Sequence, residues 1–315
     1  MDIRQLKYFH TIAQEGQISR AAKKLHMAQP PLSQSLKSLE NELGVMLFER
    51  NGRNMELTKA GEVLFKRANE FLHQLNETIN EVRDTEMGYK GTVSFGCVKS
   101  YFAHIPDKIK AFRANYPQIN FEFRVGDSYL LAELLKNRDI EFAFIRLPLQ
   151  YDKALSHYIL PDEPYVVAIP ETWKDNFHES SVYMEELANL PLLLLHRING
   201  IGQYELINDE FLKRNLYPNI ICECPDVDML LELVSNEIGA TIVPESTLLR
   251  NNIRGVHKLQ IKDATIISKS AIIWLKDRYI SQSASRFISL FLGNDGAIDF
   301  NQVTQAHSGI SLTEL

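Results

Sequence analysis

The chain has 315 residues, 45% hydrophobic and 23% charged, with a formal net charge of −6. That length exceeds one ordinary core and predicts two or three domains. No apolar run approaches the roughly 20 residues of a membrane helix. The opening MDIRQLKYF carries no signal-peptide apolar core or cleavage site, so a cytoplasmic protein with no membrane partner is expected. The three cysteines, Cys97, Cys222 and Cys224, are too few and odd in number for a disulfide framework. Cys222 and Cys224 stand two apart in an apolar, strand-like run. They read as small buried apolar residues, with a redox or metal role as the alternative.

The charge is uneven. Residues 1–57 hold eight Lys/Arg against six Asp/Glu, whereas residues 91–315 hold 21 against 28. Only the N-terminal block is basic, so a nucleic acid partner would meet that end. The acidic remainder would be repelled by phosphate.

The predicted elements of that block follow in order. Ile3, Leu6, Phe9, Ile12 and Ala13 share one face of a helix that Gly16 ends. A second, short helix follows at SRAAKKLHM, with Ala21, Ala22 and Leu25 inside and small alanines permitting close approach. His26–Gln29 makes a tight turn. The third helix, QPPLSQSLKSLENEL, opens on Pro30 and Pro31, where a missing N–H costs nothing. Leu32, Leu36, Leu39 and Leu43 are expected to pack onto the first two helices. Ser33, Gln34 and Lys37 are left on the outer face near its N-terminus, with Gln29 at the turn. That is helix-turn-helix geometry, in which the second helix of the pair enters the major groove. Ser, Gln and Lys suit base edges and phosphates there.

Gly44 stops the third helix. Val45, Leu47 and Phe48 predict a short strand, residues 50–54 a polar turn, and Met55–Leu57 a return. This is a two-stranded wing with Arg50 and Arg53 at its tip for phosphate or minor-groove contact, unless it is only a solvated hairpin. Thr58 then caps a long helix ended by Gly88 and Gly91. Ala60, Leu64, Ala68, Phe71, Leu75, Ile79 and Val82 step by threes and fours as a heptad-like seam. That stripe predicts a dimer through residues 58–87, the alternative being packing within the same chain.

The segment ISRAAKKLHMAQPPLSQSLKSLENELGVMLFERNGRNMELTKAGE resembles the DNA-binding segment of LysR-type transcriptional regulators. The resemblance rests on Ala21, Ala22, Leu25, Ala28, Gln29, Pro30, Ser33, Leu39, Glu40, Leu43, Gly44, Leu47, Phe48, Arg50, Leu57, Thr58 and Gly61. Position 34, often arginine in that family, is Gln34 here, which bears on base preference. The resemblance implies a winged helix-turn-helix over residues 1–57 and a dimerising linker helix over 58–90. An α/β effector domain over 91–292, similar to periplasmic binding proteins, would follow, then a polar tail over 293–315. It also implies double-stranded DNA with an inverted-repeat operator as partner, a small effector and assembly into dimers or tetramers.

After Gly91 the texture is alternating strand and helix, the rhythm of a parallel sheet with helices on both faces. NYPQINFEF with LLAELLKNRDIEFAFI is echoed by NLYPNIICEC with MLLELVSNEIGATIV about 100 residues later, from Tyr116-Pro117 to Tyr217-Pro218. The echo predicts two similar α/β lobes, chance likeness of amphipathic segments being the alternative. The LysR resemblance, with two strands crossing between lobes, implies one lobe over about 91–161 and 266–292 and the other over about 162–265.

Ligands of open α/β sheets bind outside the carboxyl ends of the strands. Those positions hold Ser100, Ser128 and Arg146 in the first lobe and the turn Asn199-Gly200-Ile201-Gly202 in the second. The expected effector is a small organic carboxylate held by Ser100, Ser128, Arg146, Asn199, Gly200 and Ile201, since guanidinium matches carboxylate bidentately. Each serine could instead be a helix cap, and Arg146 a structural ion-pair partner. Gly200-Ile201-Gly202 lacks the third glycine and context of a dinucleotide fingerprint. No nucleophile elbow, P-loop or zinc motif occurs, so neither catalysis nor a cofactor is expected. The competing reading is a small-molecule-binding protein or enzyme built on the bilobed region alone.

Overall fold

The computed structural model describes residues 1–51, 54–84, 90–150, 152–197, 200–249, 254–276 and 278–293. They form two compact units, Met1–Glu86 and Met87–Leu315.

The first unit contains α1 (Ile3–Glu15), α2 (Ile18–Lys24), α3 (Gln29–Leu43), β1 (Phe48–Asn51), β2 (Asn54–Leu57) and α4 (Lys59–Asp84). Asp2 and Gln5 close a capping box on α1, with Oδ1 of Asp2 accepting from the Gln5 N–H at 2.7 Å. Gly16 and Gly44 end α1 and α3 at φ 63° and 69°, where a Cβ would be strained. Gln29 is the first residue of α3, so the prolines fall second and third, among N–H groups that have no helical acceptor.

Leu32, Leu36 and Leu39 are buried with Phe9, Ile12, Ala21 and Ala22 in one core. Leu43 is not; it is 39% exposed in the last turn of α3. The inward position there belongs to Glu40, whose Oε1 accepts from the N–H groups of Leu47 (2.9 Å) and Phe48 (3.4 Å). A carboxylate thus satisfies the two donors where the chain turns into the wing. Val45 is also exposed and precedes the strand, which begins at Phe48. β1 and β2 pair antiparallel from Phe48–Leu57 to Asn51–Asn54.

Thr58 Oγ1 accepts from the Gly61 N–H at 3.0 Å and donates to the Met46 carbonyl at 2.8 Å, fixing the start of α4 on the wing. Gly61 is required there, since a Cβ would stand 2.1 Å from the Leu47 oxygen. Ala60, Leu64, Ala68 and Leu72 of α4 complete the core. Phe71, Ile79 and Val82 remain exposed.

In the second unit, β3 (Gly91–Cys97), a 3-10 turn (Lys99–His104), α5 (Pro106–Asn115), β4 (Ile119–Val125), α6 (Ser128–Lys136), β5 (Phe142–Arg146) and β6 (Leu155–Ile159) come first. Then follow β7 (Glu163–Pro170), β8 (Ser181–Val182), α7 (Met184–Ala188), β9 (Leu192–Leu195), α8 (Gln203–Leu212), β10 (Ile220–Cys224), α9 (Val227–Ser235), β11 (Thr241–Pro244) and α10 (Glu245–Leu249). The last elements are β12 (Val256–Ile261), β13 (Ile267–Ser268), β14 (Ser270–Leu275) and α11 (Gln282–Leu292).

One sheet has the order β4-β3-β5-β14-β6, with the first three strands parallel and β14 antiparallel to both neighbours. Its core is aromatic: Phe95 meets Phe142, Phe287 and Phe144 at centroid distances of 5.5, 5.8 and 5.9 Å. The other sheet runs β11-β7-β12-β8, with β13 on β7, and the parallel pair β9–β10 bridges to it from Leu192 to Ala240.

The internal echo has a topological cause. β3-α5-β4-α6-β5 and β9-α8-β10-α9-β11 repeat one unit, each with its first strand between the other two. The chain passes between the sheets twice, from β6 to β7 and from β13 to β14. The Leu160 N–H donates to the Ser270 carbonyl and the Tyr165 N–H to the Ile266 carbonyl, both at 2.9 Å.

Replacing Glu40 strands two buried N–H donors. Glu40→Ala is expected to destabilise the first unit by about 1–3 kcal/mol. Urea denaturation of the full-length protein checks this, and an unchanged first-unit transition refutes it.

Candidate functional site

On the first unit, Gln29, Pro30, Gln34 and Lys37 are exposed along α3, with Ser33 half-buried between them. Their spacing places them on one face, opposite Leu32, Leu36 and Leu39. Arg50 lies in β1, although its side chain, like all of Arg53 in the adjoining turn, lies outside the described residues.

In the second unit a cavity of about 320 Å³ opens at the carboxyl ends of β3, β4, β5, β9 and β10. Lys99 and Ser100 enter it after β3, Gly126–Ser128 after β4, Arg146 from β5, His196 and Arg197 after β9, and Asp226 after β10. The first turns of α6, α8 and α9 therefore converge on it, and helix N-termini favour negative charge. Asp127 and Asp226 already cap α6 and α9 through their own side chains.

Arg146 is 5% exposed and its guanidinium is occupied by the protein. Nη1 donates to the hydroxyls of Ser268 (3.0 Å) and Ser270 (2.8 Å). Nη2 donates to the Ser100 carbonyl (2.8 Å) and the Ser246 hydroxyl (3.3 Å) and forms an ion pair with Glu163. The Tyr101 ring lies 5.3 Å beneath it. Burial alone would raise the Glu163 carboxyl. His104, Arg146 and the Ser246 hydroxyl and N–H outweigh that and hold it at about 2. Arg146 thus has the contacts of a structural ion-pair partner. Ser128 is no helix cap either: its hydroxyl donates to the Arg146 carbonyl at 2.8 Å. Ser100 contributes its carbonyl to Arg146.

Two other cations reach the cleft. Arg197, from the second lobe, donates through Nη1 to the Pro148 and Ile201 carbonyls (2.8 and 2.7 Å). Its Nη2 donates to the Ser128 hydroxyl and the Arg146 carbonyl (3.2 and 2.7 Å), so it bridges the lobes. Lys99, from the first lobe, pairs with Asp226 and, at 3.2 Å, with Asp228 across the cleft. Sequence reasoning passed over both. Arg197 follows a strand end as Arg146 does, but nothing in the sequence tells which guanidinium is paired with a buried carboxylate.

The expected effector residues do not all meet. Ser100, Ser128 and Arg146 line the cleft, whereas Gly200 and Ile201 line a separate cavity of about 520 Å³ with Tyr129, Leu147, Pro148 and Leu149. Gly200, at φ 74°, abuts the Tyr129 ring, and a Cβ there would lie 2.1 Å from its Cε2. Asn199 lies outside the described residues. Among the described residues no group of three His, Cys, Asp or Glu could hold a metal, and no helix is long and apolar enough to cross a membrane. Cys97 is buried, and Cys222 and Cys224 are half-buried.

Comparison with known proteins decides the family. Residues 3–62 match the model of the bacterial regulatory helix-turn-helix protein, lysR family, and residues 87–295 match the LysR substrate binding domain. The chain is 38% identical over 292 residues to the HTH-type transcriptional regulator BsdA of Bacillus subtilis, covering 92% of this chain and 100% of that protein. The chain belongs to the LysR family of transcriptional regulators. The regulator AlsR of the same organism is 33% identical over 248 residues, covering 78% of this chain and 81% of its own. The fold is that of full-length CbnR, solved in complex with its target DNA, at a TM-score of 0.75 and 23% identity over 93% of this chain and 99% of that one. This LysR-family chain is therefore a DNA-binding transcriptional regulator with an effector-binding domain. Its helix-turn-helix match contains α3 and the wing, and its substrate-binding match contains the cleft.

The Glu163 carboxylate stabilises the regulator above its ordinary value of 4.5, and that contribution is lost as pH falls towards about 2. Glu163→Gln is expected to be less stable than the parent at pH 7, with the gap closing between pH 4.5 and 2. Stability curves of both proteins against pH check this, and a gap that does not change with pH refutes it.

Proposed function

We propose that this regulator reads an inverted-repeat operator as a dimer in the cytoplasm and senses a small organic carboxylate in the cleft of its second unit. The cleft carries the effector reading. Its walls hold Lys99 and Arg197, and the groups that meet them across the cleft, Asp226 and backbone carbonyls, are oxygens that a ligand carboxylate can replace. In this reading Ser100 and Ser128 complete the site and Arg146 holds its frame. A carboxylate that exchanges with these interlobe bonds has different affinities for open and closed lobes, which is the condition for changing the regulator's state. Its relatives are named as regulators, and we assign it no reaction.

The DNA-binding reading assigns base or phosphate contact to Gln29, Pro30, Ser33, Gln34 and Lys37 on α3 and to Arg50 and Arg53 on the wing. Half-sites then lie about one helical turn, or multiples of it, apart. The dimer is formed through residues 58–87, a reading supported by the exposed apolar side chains of Phe71, Ile79 and Val82 along the α4 stripe. A groove between the start of α1 and α4, lined by Ile3, Leu64, Ala68 and Phe71, continues that apolar surface.

Gln34→Ala is expected to weaken operator binding by about 1–3 kcal/mol with little change on random DNA. Mobility shifts on the DNA upstream of its own gene and on scrambled DNA test this, and equal losses on both reduce Gln34 to a phosphate contact. Replacing Phe71 and Val82 together by Asp should halve the mass seen in sedimentation and weaken operator binding; an unchanged mass overturns the dimer reading. Footprints with and without candidate carboxylates test the cleft, and an Arg197→Met protein that responds like the parent removes Arg197 from it.

A further inference from the structure

We infer that Gln17 is a positioning residue for DNA binding: through Asn54 it holds the wing at a fixed place beside the helix-turn-helix, so that α3 and the wing engage the duplex together. This role rests on the reading that the wing meets DNA, and adds what aims it.

Gln17 occupies the N-cap of α2, with extended backbone at φ −149° and ψ 133°. Ser, Thr, Asp and Asn serve best at such a position, because a short side chain reaches the first free N–H groups of the helix. Gln17 makes no such bond. Its amide stands one methylene further from the backbone than that of asparagine. The Nε2 donates instead to Oδ1 of Asn54 at 2.9 Å, 37 positions along the chain. Beside it the Gly16 carbonyl accepts from the Met55 N–H at 2.8 Å. Gly16 is itself fixed, since its N–H donates to the Ile12 carbonyl and its φ of 63° closes α1. The turn between α1 and α2 therefore grips two consecutive residues of β2, one by main chain and one by side chain.

The place of this grip gives it its use. An isolated two-stranded ribbon is marginally stable in water, so the wing points where its contacts hold it. Its base is fastened by Glu40 to the N–H groups of Leu47 and Phe48, and by Thr58 to the Met46 carbonyl. From the Phe48–Leu57 pair at the base to the Asn51–Asn54 pair beside the turn, the ribbon extends about 10 Å. Gly16 and Gln17 hold this far end. The Gly16 bond is main chain and survives any side-chain change, whereas the Gln17 amide can be removed. Gln17 also begins α2, which shares a core with α3, so it refers the wing to the recognition helix. Asn54 is exposed and Gln17 half-buried. A neutral bond so open to water adds little stability, and what it supplies is direction.

The test uses the full-length protein and a duplex that the parent selects from a random pool. Gln17→Met keeps the stem and removes the donor. It should weaken binding of that duplex about threefold to tenfold. Asn54→Ala should do the same, with no further loss in the double variant. At saturating protein, hydroxyl-radical cleavage, which reports the minor-groove side of the backbone, should rise where the parent's wing protects it. Protection of guanine N7 from dimethyl sulfate in the major groove, which reports α3, should persist. Gln17→Ser supplies the missing cap, so it should melt no lower than the parent and still lose the wing protection. Parent-like affinity and cleavage in both Gln17 variants, losses that add in the double variant, or equal loss of both protections each overturns the role. Arg53→Ala separates it from the wing reading. If that change leaves the hydroxyl-radical pattern as in the parent, the wing does not meet DNA and both fall. If it removes the wing protection and the Gln17 variants do not, the positioning role alone falls.

Discussion

The second unit depends on one buried guanidinium. A charge removed from water is tolerated only when it is paired and hydrogen-bonded, and both terminal nitrogens of Arg146 meet partners from several segments at once. Glu163 opens β7, Ser268 and Ser270 lie on the returning strand, Ser246 begins α10, and Ser100 lies just after β3. These are the two crossings between lobes and the two helical turns beside them. Removing the arginine would leave Glu163 buried without its cation, so the constraint binds both partners. Arg146 is engaged in this frame, and the proposed ligand contacts rest on two other cations of the cleft.

Those others are Lys99 and Arg197, one from each lobe, each reaching across to oxygens of the opposite lobe. The geometry is that of two latches on a cleft walled by helix N-termini. Arg197 also donates to the carbonyls of Pro148 and Ile201, two residues that line the neighbouring cavity.

The first unit follows a simpler logic. Three short helices bury one leucine stripe, and the outer face of α3 is left for recognition. Glu40 joins that helix to the wing through two backbone N–H groups, and Thr58 and Gly61 join the wing to α4. The positions that the LysR resemblance picks out thus include the structural joints Glu40 and Gly61 as well as Gln29 and Ser33 on the face proposed to meet DNA.

Much of this was legible in the sequence because it is local. Helical period, proline at a helix mouth, glycine at a helix end and the echo between Tyr116 and Tyr217 depend on neighbours a few residues apart, or on repetition of the same local pattern. The sequence by itself determined the helices, the wing strands, the repeated α/β unit and the loops at the strand ends. Only the tertiary structure decided that Glu40 rather than Leu43 turns inward, that Arg146 is buried in an ion pair with Glu163 while Arg197 bridges the lobes, and that Gly200 and Ile201 line a different cavity from Ser100 and Ser128. The reason is that a cation's role depends on which oxygens surround it. For Arg146 those oxygens come from residues 17 to 124 positions away, and for Arg197 all but one come from 49 to 69 positions away, separations that no local pattern records.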